Sequence, residues 1–371
     1  MITEQQVMTA LGRVQEPELH KDLVTLNMIK DLKISGAGDL AFAIELTTPA
    51  CPLKDVMEAD VRAELGALQG VGKITLSWTS NTAANARMRA VISTPYKNII
   101  AVASGKGGVG KSTVSANLAI ALANTGAKVG LLDNDVYGPN IPMMMGLPTA
   151  QSTPDGRQSI PSCEQRNGKL IPMEKYGIKV FSIGMIYPPE NALVWRGPML
   201  HSAIRQFLVD VEWGDLDYLI VDMPPGTGDS QLSLAQTAQG AMGVIVTTPQ
   251  LVSMSDALKG LAAFEQMKIP VLGVIENMGP YIDARTGQKI ALFGEGGGEK
   301  LAAMKKVPYL GSIPLDPAIR IGGDSGRPLV VVDPSGEIAQ RFATLARAVA
   351  ARVSVINFSS ANNPIPITIS D

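Results

Sequence analysis

The sequence predicts an α/β protein in which a small α+β domain precedes a doubly wound domain with a parallel sheet. From residue 97 onward, short apolar runs alternate with segments of helical periodicity, which indicates a parallel sheet covered by helices on both faces. Residues 1–80 instead place one alternating run between helical segments, a pattern typical of a strand with one buried face. We therefore predict domains at 1–80 and 97–371, joined by a linker over 81–96.

The first domain begins with a predicted helix whose apolar side includes Val7 and Leu11. A strand is predicted over residues 40–46, because apolar side chains alternate there with small or polar ones. A helix follows Pro52, with apolar residues at helical spacing, and a closing strand is predicted over residues 71–78. A domain of this length is close to the smallest that folds without disulfides or metals.

The second domain is predicted to contain a series of short, buried strands separated by helices. The predicted strands span residues 98–103, 128–133, 217–222, 243–248, 271–275 and 307–311. Right-handed crossovers place the carboxyl ends of parallel strands along one edge of a sheet, and ligands bind at that edge. Residues that directly follow these strands are therefore the first candidates for a functional site.

A glycine-rich segment follows the first of these strands and matches the phosphate-binding pattern G-x-x-x-x-G-K-[ST]. Backbone N–H groups of such a loop bind a phosphate chain at the N-terminus of the next helix. Lys111 would contact the β- and γ-phosphates, and the Ser112 hydroxyl would bind Mg²⁺. The segment therefore predicts binding of a nucleoside triphosphate. Its residues are Gly105-Lys106-Gly107-Gly108-Val109-Gly110-Lys111-Ser112, followed by Thr113 in the helix.

Two further strands end in aspartate at the same predicted edge. Asp133 and Asp135 close the strand at 128–133, and Asp222 closes the strand at 217–222 before a loop rich in Gly and Pro. Asp222 is a candidate to hold Mg²⁺ through water, because Mg²⁺ prefers oxygen ligands and keeps several waters. The glycines of the following loop would let it change conformation when the γ-phosphate leaves.

The second lysine of the phosphate loop, Lys106, indicates which class of nucleotide-binding protein this is. The pattern G-K-G-G-x-G-K-[ST] resembles that of the family containing MinD, ParA and the nitrogenase iron protein. In that family this lysine contacts the nucleotide of the partner subunit, so the resemblance implies a nucleotide-dependent homodimer. A solvated loop lysine is the alternative at this position. A second cation here is also a suitable counter-charge for a polyphosphate.

The same resemblance assigns roles to residues outside the loop. It implies that Asp135 positions the attacking water, that Asp133 acts near Mg²⁺, and that Asn277 and Pro314 lie beside an adenine ring. Each assignment has an alternative: either aspartate can cap the next turn, and Asn277 is an equally suitable turn residue. An Asn amide both donates and accepts, which suits adenine. The choice of ATP over GTP rests on the resemblance.

Several segments resemble one branch of this family, the Mrp/ApbC proteins, which bind and deliver iron–sulfur clusters. Residues 1–80 resemble the MIP18-type domain that many bacterial Mrp proteins carry, including its Thr48–Pro52 segment. The resemblance covers nearly the whole chain. It implies that the partners are client apoproteins, to which clusters are transferred, or iron–sulfur assembly factors. The other matching segments are 135–142, 195–199 and 293–298.

The sequence departs from this branch at the cluster ligands. Mrp proteins usually carry C-x-x-C shortly after an E-N-M segment, and two such pairs, one per subunit, would hold a [4Fe–4S] cluster. Here the corresponding stretch is Asp283-Ala284-Arg285-Thr286. Carboxylate and hydroxyl oxygens do not replace soft thiolates for such a cluster. The usual cluster site is therefore absent from the sequence.

The chain has two cysteines, Cys51 and Cys163, whose separation gives no disulfide framework. Cys51 lies at a predicted strand-to-helix junction, where a helix N-terminus lowers a thiol pKa. Cys51 is therefore the better candidate for a cluster contact, with a small buried apolar role as the alternative. Cys163 lies in a polar stretch and is interpreted as incidental.

Composition limits the possible partners. A net charge of -2 gives no electrostatic reason to expect nucleic acid as the main partner. No run approaches the roughly 20 apolar residues that span a bilayer. The N-terminus has neither the basic start nor the apolar centre of a signal peptide. These features predict a cytoplasmic protein that does not bind membranes.

Together, the sequence predicts an ATP-binding and slowly ATP-hydrolysing homodimer that transfers iron–sulfur clusters to apoproteins. Lys106 and Lys111 would stabilise charge on the phosphoryl oxygens, Ser112 and Asp222 would organise Mg²⁺, and Asp135 would orient water. The alternative is a nucleotide-switched adaptor that binds a client protein through its N-terminal domain and carries no cluster. The missing C-x-x-C favours that alternative.

Overall fold

The computed structural model describes residues 2–85, 96–153, 159–188, 197–226, 229–283 and 285–362. Some of the predicted features lie outside this set: residues 86–95 of the predicted linker over 81–96, the 195–196 pair, residues 227–228 of the loop after Asp222, and Ala284. The chain forms two compact units, one of residues 1–83 with 350–371 and one of residues 84–349. The domain boundaries predicted at residues 80 and 97 stay a prediction; these units additionally group the end of the last helix with the first unit.

The first unit contains a three-stranded sheet and two helices that share one apolar core. Strand β1 runs antiparallel to β2, and β2 runs parallel to β3. The predicted helix at the start, the strand at 40–46 and the helix after Pro52 are confirmed, whereas β1 was not predicted. The elements are α1 (Glu4–Leu11), β1 (Ile29–Ile34), β2 (Leu40–Leu46), α2 (Lys54–Gly66) and β3 (Ile74–Ser80).

The second unit is built on an eight-stranded sheet. All neighbouring strands are parallel except the edge pair β6–β7, which is antiparallel. The strands, in chain order, are β4 (Tyr96–Ala103), β5 (Val129–Asp133), β6 (Met173–Lys175), β7 (Ile178–Ser182), β8 (Leu216–Asp222), β9 (Met242–Thr247), β10 (Val271–Gly279) and β11 (Tyr309–Pro314). Their order across the sheet is β6-β7-β5-β8-β4-β9-β10-β11.

Helices connect these strands and cover the sheet, so the predicted doubly wound α/β fold is confirmed. A short hairpin pairs Tyr281–Ile282 with Lys289–Ile290 between β10 and the next helix. The last helix has 26 residues. The helices are α3 (Lys111–Ala123), α4 (Ile141–Met145), α5 (Gly197–Val209), α6 (Asp229–Thr237), α7 (Leu251–Gln266), α8 (Gly297–Lys305), α9 (Pro317–Asp324), α10 (Leu329–Val332) and α11 (Glu337–Asn362).

All six predicted strands of this sheet are confirmed, but β6 and β7 were missed. Strand β7 pairs in parallel with β5 and brings Ser182 level with Asp133. Its apolar residues are interrupted by Lys179, and no helical pattern precedes it. It therefore lacks the continuous apolar run and the preceding helix by which the neighbouring strands were predicted. The strand nevertheless buries Val180 and Phe181 completely. Tertiary packing therefore defines this strand more strongly than local sequence does.

Among the described residues, no helix has both the length and the apolar character that crossing a membrane requires.

Candidate functional site

Three adjacent strands of the sheet supply the site. Strands β5, β8 and β4 lie side by side, and Asp133 and Asp222 are register partners at the ends of β5 and β8. The glycine-rich segment leaves the end of β4 and leads into α3, whose first residue is Lys111. The backbone N–H of Gly226 donates to the carbonyl of Ser104 at 3.0 Å, which ties the loop after β8 to the start of the phosphate loop. The predicted motifs therefore meet at one edge.

Asp222 is the centre of a buried polar cluster. Its carboxylate is fully buried and accepts three side-chain hydrogen bonds. Lys111 Nζ and Ser112 Oγ donate to its Oδ2 at 2.8 and 2.6 Å, and Ser115 Oγ donates to its Oδ1 at 2.6 Å. Sequence reasoning missed Ser115, although it lies one helical turn after Lys111 and therefore on the same face of α3. The bonds compensate the burial of this carboxylate.

Lys111 is surrounded by carboxylates. Its side chain is 5% exposed, and its ammonium lies 2.8 Å from Asp222 Oδ2 and 3.6 Å from Asp135 Oδ2. Burial alone would lower the pKa of Lys111, but the negative charges of Asp222, Asp135 and Asp133 raise it to a greater extent. The amine is therefore a permanent cation at neutral pH, as a phosphate ligand needs to be.

The Asp133 carboxylate accepts three hydrogen bonds from the segment that follows it and from β7. Its Oδ1 accepts the backbone N–H of Asp135 at 3.2 Å, and its Oδ2 accepts Ser182 Oγ at 2.9 Å and the N–H of Ile141 at 3.2 Å. Burial and the charge of Asp222 raise the pKa of Asp133 to about 8. These bonds fix the segment from Asp135 to Ile141. The predicted contact of Asp133 with the Mg²⁺ environment stays a prediction.

Asp135 lies beside the ammonium of Lys111, and Lys106 belongs to the phosphate loop. Asp135 is mostly buried, and its Oδ1 accepts the N–H of Tyr137 at 3.3 Å. Burial raises the pKa of Asp135, an effect that the nearby Lys111 opposes and that Asp222 reinforces. Lys106 is partly exposed, and its backbone carbonyl accepts the hydroxyl of Ser104 at 2.9 Å. Asp135 therefore faces the ammonium of Lys111 at the point where phosphate is expected.

The ends of β10 and β11 flank the phosphate loop. The Asn277 amide donates to the backbone carbonyl of Val109 at 2.8 Å, so it contacts the loop directly. Pro314 ends β11 as the register partner of Gly279 on β10, and it is buried. The structure thus brings Asn277 to the loop, with Pro314 on the adjoining strand. Their contact with a base stays a prediction.

The donor atoms of the cluster suit Mg²⁺. Within the described part of the chain, no three His, Cys, Asp or Glu side chains converge as a metal site of protein ligands alone. Mg²⁺ at nucleotide sites takes one or two protein oxygens and completes its shell with phosphates and waters. The Ser112 hydroxyl and the Asp222 carboxylate, which touch each other at 2.6 Å, are such a pair of oxygens.

Comparison with known protein families shows which family of nucleotide-binding proteins the chain belongs to. A family model described as NUBPL iron-transfer P-loop NTPase matches residues 95–350, more than half of the chain. The chain belongs to the iron-transfer P-loop NTPase family. A second model, described as iron-sulfur cluster assembly protein, matches residues 4–76 in the first unit.

Individual relatives of this P-loop NTPase agree with the family match. The chain is 48% identical over 361 residues to the iron-sulfur cluster carrier protein of Synechocystis sp., covering 96% of this chain and 99% of that one. It is 45% identical over 365 residues to the protein of the same name from Deinococcus radiodurans, covering 97% and 99%. A nucleotide-binding protein from Archaeoglobus fulgidus, solved in complex with ADP, is 36% identical and superposes with a TM-score of 0.55 over 68% of this chain and 95% of its own. The predicted family is confirmed.

The hairpin after β10 contains the stretch from Asp283 to Thr286, where the sequence resemblance predicts a C-x-x-C. Asp283 Oδ1 accepts the backbone N–H groups of Arg285 and Thr286 at 3.0 and 2.8 Å, and the Thr286 hydroxyl at 3.0 Å. These bonds, chiefly those from Thr286, lower the pKa of Asp283. Among the described residues of the hairpin tip, Asp283 therefore forms a turn with Arg285 and Thr286 through its carboxylate.

The predicted activation of Cys51 is wrong. Burial raises the pKa of its thiol to about 11 and outweighs the opposing effect of the Leu53 backbone N–H, while the charges of Glu18 and Glu16 add smaller increases. The N-terminus of α2 therefore does not dominate the environment of this sulfur. Burial also raises the pKa of Cys163. Both thiols of this P-loop NTPase stay protonated at neutral pH.

Glu18, beside Cys51, predicts a pH-dependent stability of the first unit. Burial and the charge of Glu16 raise the pKa of Glu18 from 4.5 to about 7, against the opposing charge of Arg352. The folded state holds the extra proton between these values, so this contribution is complete below pH 4.5 and is lost as the pH rises through 7. We expect Glu18→Gln to gain about 1–2 kcal/mol relative to wild type between pH 5 and 8, after discounting the shift for solvent contact.

The measurement for Glu18 is hydrogen-exchange protection of the β2 amides, with variant and wild type compared at each pH so that intrinsic exchange rates cancel. Glu4→Gln, at an exposed carboxylate of the same unit, is the matched control. An unchanged difference between variant and wild type across the pH range would contradict the assigned proton.

Proposed function

We propose that this P-loop NTPase is an ATP-binding, slowly ATP-hydrolysing homodimer that transfers iron–sulfur clusters to apoproteins. The observation that carries the proposal is the buried cluster of Lys111, Ser112 and Asp222 at the end of a phosphate loop. It lies in a chain whose relatives of nearly equal length are iron–sulfur cluster carrier proteins. The buried cluster supports binding and hydrolysis of ATP, and the relatives support the transfer of iron–sulfur clusters.

The proposed hydrolysis depends on positioning and charge. Lys111 would exchange its bond to Asp222 for phosphate oxygens, because it directly follows the phosphate loop and its ammonium lies between the carboxylates of Asp222 and Asp135. Ser112 and Asp222 would hold Mg²⁺, which neutralises charge on the phosphates when bound. Asp135 would orient the attacking water from the opposite side of Lys111. Lys106 would stabilise phosphoryl charge across the proposed dimer.

Exposed apolar side chains support self-association at the nucleotide edge. Leu251 and Val252 begin α7 and are 80% and 67% exposed, and Leu292 is 63% exposed. These two segments adjoin each other, since Gly294 and Gly297 pack directly against Pro249. An apolar patch of this kind marks an interaction surface. We assign it to a second copy of this chain, because it borders the site that the second subunit is proposed to complete.

The dimer predicts a specific mutational effect. We expect Leu251→Glu with Val252→Glu to lower the dimer fraction in the presence of ATP by about tenfold, since two charges would be buried at the interface. Light scattering coupled to size exclusion, with and without ATP, measures this fraction. Met304→Glu, at another exposed apolar residue of the same unit, is the control. A dimer fraction that is insensitive to the double variant would exclude this patch from the interface.

Cluster transfer is tested by anaerobic reconstitution with iron and sulfide. We expect the full chain to acquire a cluster, detected by visible absorbance and iron content, and to pass it to an apo-ferredoxin in an ATP-dependent reaction. Cys51→Ala tests whether this half-buried thiol is a ligand, with Cys163→Ala as the matched control. Absence of a cluster above background, while ATP is still hydrolysed, would overturn the transfer proposal.

One specific observation favours the second candidate, a nucleotide-switched adaptor without a cluster. The hairpin tip at Asp283 and Thr286 closes through its own hydrogen bonds. Both cysteines of the chain, Cys51 and Cys163, lie outside this hairpin in the sequence. The adaptor predicts ATP-dependent capture of an apoprotein client by protein that contains no iron. The same reconstitution experiment separates the two functions.

A further inference from the structure

Two successive residues at the end of β10 contact different parts of the protein: Asn277 contacts the phosphate loop, and Glu276 contacts the start of α8. Side chains alternate between the faces of a strand, so Glu276 and Asn277 point to opposite sides of the sheet. Both are buried, with 1% and 6% of their surface exposed. Asn277 contacts the phosphate loop, as described above. Glu276, a buried carboxylate with no part in the proposed chemistry, has different partners.

Glu276 anchors the start of α8. Its Oε2 accepts the backbone N–H of Gly298 at 2.7 Å, and its Oε1 accepts the hydroxyl of Ser312 on β11 at 3.2 Å. Gly298 lies in the first turn of α8, where a negative charge interacts favourably with the helix dipole. A Cβ at Gly298 would lie 2.8 Å from the Cβ of Glu276, so the helix approaches the strand as closely as glycine allows.

On the other side, Asn277 holds the same strand end against the phosphate loop. Its amide donates to Val109 and lies directly behind Gly110, where an added Cβ would be 2.2 Å from Asn277 Nδ2. Met278 then takes a left-handed backbone with φ of 56°, a conformation that costs free energy in a non-glycine residue. The strand end is therefore fixed tightly to the loop.

Glu276 also joins the two ends of the segment that contains the hairpin, residues 279–298. The chain leaves β10 at Gly279, forms the hairpin over residues 281–290 and returns to the same place at Gly298. One end of this segment is joined to Glu276 through three peptide bonds to Gly279, and the other end is joined through the bond to Gly298. A displacement of the strand end therefore moves both ends of the hairpin segment together.

We infer that Glu276 is a positioning residue that couples the phosphate loop to the hairpin, so that nucleotide binding changes the stability of the hairpin. The path runs from Val109 through Asn277 and Glu276 to Gly298. The inference rests on the proposed function, in which the loop binds nucleotide and the hairpin stands where Mrp proteins hold their cluster. Glu276 itself touches neither nucleotide nor cargo.

The test is hydrogen exchange of the hairpin amides in the full chain, with and without Mg-ADP. We expect ADP to slow exchange at residues 285–292 of the wild type by about fivefold, a modest local stabilisation. In Glu276→Ala the hairpin response is lost and the Kd for ADP rises about tenfold, because two buried hydrogen bonds disappear. Glu276→Gln keeps both effects close to wild type, since its amide oxygen still accepts the N–H of Gly298, and its amide N–H₂ donates to the Ser312 hydroxyl, which reverses the direction of the wild-type bond.

Two further variants control this experiment. Glu299→Gln removes a negative charge from the first turn of the same helix at an exposed position, and it is expected to change neither readout. Ser312→Ala removes one of the two bonds and leaves the helix anchor intact, so a partial loss of the hairpin response is expected even if Glu276→Ala fails to fold.

The outcomes separate this inference from the proposed function. A hairpin that responds to ADP equally in wild type, Glu276→Ala and Ser312→Ala would overturn the coupling through Glu276. So would a wild-type hairpin that ignores ADP while ADP binds, and in that case ATP hydrolysis and cluster transfer still stand. Failure of the wild type to bind ADP would instead overturn the proposed function itself.

Discussion

Replacement of Lys111 by alanine is expected to lower the ATP hydrolysis rate by a factor of about 10²–10³, the usual loss when one group that stabilises transition-state charge is removed. The change also leaves the fully buried carboxylate of Asp222 without its cation. Breaking a buried ion pair from one side costs about 3–5 kcal/mol, and the bonds from Ser112 and Ser115 place this case at the lower end. Steady-state phosphate release and chemical denaturation measure the two effects.

A double variant separates the catalytic from the structural loss. Asp222→Asn removes the uncompensated charge but keeps the size of the side chain, so we expect Lys111→Ala with Asp222→Asn to regain most of the lost stability. The double variant should remain inactive, because both proposed charge-handling groups are gone. If Lys111→Ala alone unfolds at the same denaturant concentration as wild type, the ion pair does not contribute as the 2.8 Å contact indicates.

Gly110→Ala is expected to have the second large effect. Gly110 has φ of 80°, and a Cβ there would lie 2.2 Å from Asn277 Nδ2. The variant therefore combines left-handed strain of about 1–2 kcal/mol with displacement of Asn277 from Val109. We expect the free energy of unfolding to fall by about 3 kcal/mol in total, since a buried hydrogen bond is also lost. Denaturant titration measures this change.

The phosphate loop contains its own control for this prediction. Gly108 has almost the same φ, 79°, and a Cβ there would meet nothing within 4 Å. Gly108→Ala thus reports the strain alone, and its difference from Gly110→Ala reports the contact with Asn277. Adding Asn277→Ala to Gly110→Ala should relieve the steric part. Equal destabilisation by Gly108→Ala and Gly110→Ala would show that the packing of Asn277 on the loop is unimportant.

The parts of this molecule that follow simple periodicities were predictable from sequence. The strands of the parallel sheet are continuous apolar runs, and the phosphate loop and the aspartates follow three of them directly. Once those strands are placed, topology alone brings Lys111, Asp133 and Asp222 to one edge. The place of Ser115 in the buried cluster could also have been predicted, because it is one turn from Lys111 on a helix that was itself predicted.

Other features depend on contacts between distant segments and left no local signal. Ser182 reaches Asp133 only because β7 joins the sheet, and β7 has neither a continuous apolar run nor a preceding helix. The pKa of Cys51 was misjudged because the sequence shows the helix that follows it but not the burial of its thiol, which is the main cause of the raised pKa. Nor does the sequence show the smaller effect of Glu18, which lies more than thirty positions earlier. The anchor between Glu276 and Gly298 is of the same kind.

The turn at Asp283 affects how sensitive the hairpin is to oxidation. A pair of exposed thiols at a hairpin tip is a target for peroxide and for disulfide formation, and a cluster held there is lost when its thiolates are oxidised. Here the tip is closed by a carboxylate, two backbone amides and a hydroxyl, none of which changes with redox potential. The hydrogen bonds that Arg285 and Thr286 make to Asp283 are therefore insensitive to oxygen, and an oxidant has no thiol to attack in this turn.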